Sequence, residues 1–111
     1  MIIKDLESED QLKELHEKSF SEPVVIFKHS TRCAISSMVF SRLRRSWDGV
    51  VAEDQDLYYL DLIRYRDTSA AIASKYSVAH ESPQLLIIKD GMCTFNASHN
   101  AINVEDIKVN T

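Results

Sequence analysis

Residues 23–47 constrain the fold more than any other stretch of the chain. Pro23-Val24-Val25-Ile26-Phe27 is a short, near-continuous apolar run behind a proline, which predicts a strand buried on both faces of a sheet. Downstream, Ile35, Met38, Val39, Leu43 and Trp47 recur at helical spacing, predicting a helix that packs one face on that strand. The junction between them is Ser30-Thr31-Arg32-Cys33-Ala34-Ile35-Ser36, and it places Cys33 at the first turn of the helix. Backbone N–H groups there have no intrahelical partner, and the positive end of the helix favours a thiolate, as does the Arg32 guanidinium. A thiolate is the nucleophile of thiol exchange, so Cys33 is a candidate reactive cysteine.

The remaining elements fall on either side of this unit. Ile2 and Ile3 predict a short edge strand, and Ser8 with Gln11 three residues on forms a capping box that opens a first helix. Leu12, Leu15 and Phe20 supply its apolar stripe, while His16 is expected in solvent. Arg42, Arg44 and Arg45 complement the C-terminus of the cysteine helix, which Gly49 ends. Leu57–Leu62 reads as a strand, Asp67 or Thr68 as the cap of a helix from Ser69 to Tyr76, and Gln84–Ile88 as another buried strand. Asp90-Gly91 signals a hairpin returning through Met92-Cys93-Thr94-Phe95, and Asn103 caps a last helix over Val104–Val109. Alternating strands and helices in the first two thirds demand a parallel sheet covered on both sides, to which the hairpin adds two antiparallel strands.

Composition narrows the function. The 111 residues, 44% of them hydrophobic, suit a single domain over residues 1–111. A net charge of −4 with no basic stripe argues against nucleic-acid binding. The opening Met1-Ile2-Ile3 is too short for a signal peptide and no run approaches a membrane span, so a cytoplasmic protein is expected. Two distant cysteines, Cys33 and Cys93, make no disulfide framework, and Cys93 alternates with Met92 and Thr94 as a structural thiol would. The histidines and cysteines show no metal-ligand spacing, so no metal site is assigned. His29 and His80 are either bases near Cys33 or satisfied polar groups at strand ends. Tyr58, Tyr59 and Tyr65 read as packing, because no basic patch accompanies them.

A cysteine at a strand-to-helix turn, with Ser82-Pro83 opening a strand fifty residues later and an Asp-Gly hairpin after that, resembles the thioredoxin fold along the entire chain. The fold class expected is thus α/β, a mixed sheet of about five strands flanked by four helices. More closely, Lys28-His29-Ser30-Thr31-Arg32-Cys33-Ala34-Ile35-Ser36 and His80-Glu81-Ser82-Pro83-Gln84 resemble the YtxJ-type monothiol bacilliredoxins. Arg32 stands where that family has threonine and Ala34 where it has proline. The resemblance implies a cis Pro83 beside the cysteine, Ser82 offering backbone groups to a client, and removal of bacillithiol from protein mixed disulfides, with no bound cofactor. Cys33 is then the nucleophile, Arg32 and Thr31 stabilise its thiolate, and Ser36 stands where a dithiol enzyme has its second cysteine, its hydroxyl donating to the thiolate. Arg64 and Arg66 follow a strand parallel to the one that leads into Cys33, so they should lie at the same sheet edge and grip the malate carboxylates of bacillithiol. Two rivals stand beside this. One is a monothiol glutaredoxin-like enzyme using glutathione or holding an iron–sulfur cluster; the other is a thioredoxin-fold interaction module without turnover.

Overall fold

Five strands and four helices account for the chain in a computed structural model that describes all 111 residues. In order they are β1 (Ile2–Asp5), α1 (Glu9–Lys18), β2 (Val24–His29), α2 (Ala34–Trp47), β3 (Asp56–Asp61), α3 (Arg66–Tyr76), β4 (Gln84–Lys89), β5 (Met92–Ser98) and α4 (Val104–Asn110), with a short 3-10 turn at His99–Ala101. The strands form one sheet in the order β1-β3-β2-β4-β5. The first three are parallel, and β4 and β5 run antiparallel, as the alternation predicts.

Period-two alternation in β2 builds a core on each face of the sheet. Val25 and Phe27 point to one side, where Val39, Leu43 and Trp47 of α2 meet Val104 and Ile107 of α4. Val24 and Ile26 point to the other, against Leu12 and Leu15 of α1 and Ile72 and Tyr76 of α3. No helix is long and apolar enough to cross a membrane.

Local chemistry explains most of the boundaries. Ser8 Oγ accepts the Gln11 N–H at 3.1 Å, and the Gln11 side chain reaches back to the Glu7 N–H at 2.9 Å, so the capping box forms with its return bond one residue early. Asn103 Oδ1 accepts the Asp106 N–H at 3.0 Å and opens α4. Asp90 and Gly91 both hold positive φ, +52° and +75°, the pair that a two-residue hairpin turn needs. Gly91 suits this place because a side chain is strained at its φ of +75°, and an added Cβ would also press on the tip of the Phe20 ring, 2.7 Å away. Ser19 fastens this turn, accepting the Asp90 N–H at its carbonyl (2.8 Å) and the Gly91 N–H at Oγ (3.0 Å).

Four sequence expectations are corrected. Ile35 and Met38 are 51% and 67% exposed, and α2 buries Ser36, Val39, Leu43 and Trp47 instead; both sets satisfy helical spacing, so periodicity alone does not choose between them. Phe20 lies beyond α1 and is 55% exposed, lying over the hairpin turn rather than in the core. His16 is half-buried with its Nδ1 2.9 Å from the Tyr76 hydroxyl. Helix α3 starts at Arg66 with Tyr65 as its N-cap, so Asp67 and Thr68 sit inside its first turn. Arg42 also does more than face a helix end, since it donates to the Ile102 carbonyl at 2.6 Å and ties α2 to the segment before α4.

Candidate active site

Strand β2 ends at His29, and after three residues Cys33 becomes the N-cap of α2, with extended backbone (φ −109°, ψ 118°) and a half-buried side chain. Its sulfur makes no capping hydrogen bond, so the first-turn N–H groups of α2 remain open to a negative charge there. Thr31 and Arg32 are exposed on the loop before it.

The antiparallel register brings the second part of the site alongside. Lys28 pairs with Gln84, which sets Pro83 next to the end of β2. The Ser82–Pro83 peptide bond is cis. Pro83 spends its carbonyl on the His99 N–H at 3.0 Å, whereas the main-chain N–H and C=O of Ser82 make no backbone hydrogen bond. The Ser82 hydroxyl is also buried without a partner. A free donor and acceptor beside the cysteine loop are what an extended client segment needs to pair with.

Ser36 takes a place different from the one expected. It is buried, its Oγ lies 2.7 Å from His29 Nδ1 and accepts the Ser30 N–H at 3.1 Å, and it has no hydrogen bond to Cys33. The hydroxyl is therefore held under the cysteine loop by the end of β2. His29 is buried among the rings of Phe27, Phe40 and Tyr59. Burial pushes its imidazole below the usual histidine range, opposed by the Asp61 carboxylate on β3.

On the opposite face of β2, Lys28 is fully buried with no carboxylate partner, a group that sequence reasoning missed. The available signal was a charged residue continuing an apolar strand. Its ammonium donates to the Ser69 carbonyl at 3.1 Å and lies 3.4 Å from His80 Nδ1, so it joins β2 to α3 and to the loop that leads into Ser82-Pro83. Desolvation lowers its pKa to about 8, and burial together with Lys28 lowers that of His80. The unfolded chain keeps the Lys28 proton up to the ordinary value of 10.5, whereas the folded protein loses it near about 8. Folding therefore expels a proton between those values, and stability is lowest below pH 8 and rises across that window. Lys28→Met is expected to abolish the rise and to stabilise the protein at neutral pH by about 1–3 kcal/mol. Urea midpoints measured at several pH values test this; a rise that persists in the variant contradicts it.

The two arginines are not equivalent. Arg64 stacks on Tyr65, 5.4 Å from the ring centroid, and lines a cleft of about 150 Å³ with Asp5, Glu7 and Asp61. Both arginines line a groove of about 400 Å³ with Glu7, Glu9 and Asp67, and Arg66 also lines one of about 480 Å³ with Leu62, Ser69, Ala73 and His80. None of these cavities is lined by Cys33.

Cys93 lies far from this site. It pairs with Ile88, which pairs with Val24 at the start of β2, whereas Cys33 follows the end of β2. Five residues of strand separate the two levels by about 16 Å, well beyond the reach of a disulfide. Its thiol donates to the Phe95 carbonyl at 3.3 Å, and burial pushes its pKa up.

Comparison with solved structures gives the same architecture. The mitochondrial thioredoxin 3 of Saccharomyces cerevisiae superposes with a TM-score of 0.70 at 18% identity, over 96% of this chain and 91% of that one. For a thioredoxin of Schistosoma mansoni the figures are 0.72 and 14%, over 97% and 91%. These establish the thioredoxin fold. A chain described as a candidate oxidoreductase with a thioredoxin fold is similar at 33% identity with a TM-score of 0.82, covering 96% of this chain and 90% of that one. The family model for the monothiol bacilliredoxin BrxC matches residues 4–107, and with the cysteine, the cis proline and the sheet order in place the chain belongs to the monothiol bacilliredoxin family of thioredoxin-fold oxidoreductases.

Proposed function

We propose that this protein removes bacillithiol from bacillithiolated client proteins in the cytoplasm, using Cys33 as a single nucleophile and no bound cofactor. The observation that carries this is Cys33 standing uncapped at the N-terminus of α2, beside a cis proline whose neighbour Ser82 has free main-chain groups. Ser82 and Pro83 hold the client strand, and Thr31 and Arg32, exposed on the loop before Cys33, are the proposed partners of its sulfur. The Cys33 thiolate forms a bond to the bacillithiol sulfur as the client S–S bond breaks, and the client sulfur leaves as a thiolate that takes a proton from solvent. A second bacillithiol thiolate then attacks the adduct, giving bacillithiol disulfide and free Cys33.

The malate carboxylates of bacillithiol need cations. Both arginines line one groove with Glu7, Glu9 and Asp67, and Arg66 suits the malate carboxylates better because it also opens on a second groove, with Leu62, Ser69, Ala73 and His80, that carries no acid. Arg66→Gln is therefore expected to raise KM for a bacillithiolated client about threefold to tenfold, with a smaller rise for Arg64→Gln and little change toward a neutral disulfide. The test is steady-state kinetics of both variants on a bacillithiolated client, the same client carrying glutathione, and a neutral disulfide. Faster turnover of the glutathione adduct contradicts the proposal, and equal losses toward all three substrates remove Arg66 from substrate recognition.

A further inference from the structure

We propose that the groove lined by Leu62, Arg66, Ser69, Ala70, Ala73 and His80 is a site for an organic dicarboxylate, and that the buried Lys28 supplies the second positive charge that holds it there. The inference rests on bacillithiol as the substrate, whose malate portion is such a dicarboxylate, and adds Lys28 and His80 to the residues that read it.

The groove is built from a cation, donors and hydrocarbon, and no acid lines it. Arg66 brings a guanidinium that can grip a carboxylate in bidentate fashion. Leu62, Ala70 and Ala73 bring apolar surface, which suits the carbon chain of an organic acid better than it suits inorganic phosphate. His80 brings a donor that is fixed from behind. Its Nδ1 lies 3.4 Å from the Lys28 ammonium and 3.4 Å from the Ser69 hydroxyl. An ammonium has no lone pair, so Nδ1 is the acceptor and the proton of the neutral ring stands on Nε2. Burial and Lys28 both lower the pKa of His80, which keeps the ring neutral from pH 7 upward. The Nε2–H is thus left for whatever occupies the groove.

Lys28 stands directly behind two of the lining residues, donating to the Ser69 carbonyl at 3.1 Å and meeting His80. These two groups engage two of its three protons. The side chains around it are neutral apart from His80: Leu60 of β3, Gln84 of β4, Leu15 of α1, and Ser69 and Ile72 of α3. Beyond them stand Arg66 on the groove and Glu81, which adjoins His80 in the chain and lies 3.5 Å from His99. A buried charge without a counter-ion destabilises the fold. An anion in the groove supplies that counter-charge, two side chains away through a medium that screens less than water does. Binding of the anion and retention of the Lys28 proton therefore favour each other.

Titration with L-malate, followed by nuclear magnetic resonance in a Cys33→Ser background so that no active-site thiolate contributes, tests this without a client. The amide signals of residues 69–74 and of His80 should shift saturably. Dimethyl malate, which is neutral, and inorganic phosphate should leave them in place at the same concentrations. Affinity for malate should fall about fivefold to tenfold as the pH rises from neutrality to about one unit above the Lys28 pKa of about 8. The malate carboxylates stay ionised throughout, so the change reports the protein. Lys28→Met should bind at least that much more weakly at neutral pH and lose the pH dependence. Arg66→Gln should weaken binding about threefold to tenfold and keep it. No saturable shift in the groove, phosphate binding as tight as malate, or a pH dependence that survives in Lys28→Met would overturn the proposal. Failure to process bacillithiolated clients while these titrations hold counts against the proposed function and leaves the dicarboxylate site in place.

Discussion

Cys33→Ala is expected to abolish removal of bacillithiol from a client, while Cys93→Ala keeps the rate of the unaltered protein. The contrast follows from position. Cys33 is half-buried at a helix start with open backbone donors, whereas Cys93 sits at the far end of the sheet, donates to a carbonyl and is pushed by burial toward the neutral thiol. A neutral thiol is not a nucleophile in exchange. The check is release of bacillithiol from a labelled client by each variant. Equal losses would mean that both thiols take part in turnover, and the monothiol assignment would be wrong.

The second large effect concerns stability. Trp47→Ala should cost about 3–5 kcal/mol, a major part of the 5–15 kcal/mol typical of a whole domain. Trp47 is 1% exposed and closes the core between α2, α4 and the sheet. Met38→Ala on the same helix should cost no more than about 0.5 kcal/mol, since Met38 faces solvent. Chemical denaturation of the two variants decides this. Similar losses would mean that α2 is rotated about its axis from the orientation described.

That rotation is also where the sequence was least legible. The buried strands and the hairpin could be read because apolar runs and Asp90-Gly91 report local requirements, namely two-sided burial and positive φ. The face of α2 could not, because Ile35 and Met38 fit the same period as Val39 and Leu43. What turns the helix is Ser36, a polar residue that can be buried only because His29 and the Ser30 N–H satisfy it. Such a partnership lies between elements and leaves no periodic trace. The same holds for Lys28, whose burial depends on the Ser69 carbonyl of α3, and for His16, which is drawn in by Tyr76. In the candidate site, Cys33 was legible from its strand-to-helix turn and Pro83 through the resemblance to the thioredoxin fold. The link from Ser36 to His29, and the carboxylates that share a groove with Arg64 and Arg66, required the packed structure.

The central claim is tested most directly by mixing the reduced protein with one equivalent of a bacillithiolated client, without any other thiol, and recording intact masses of both. The account predicts that the client loses its bacillithiol as this protein gains one, and that peptide mapping finds the adduct on Cys33. A client that keeps its adduct, or an adduct found on Cys93, would contradict it.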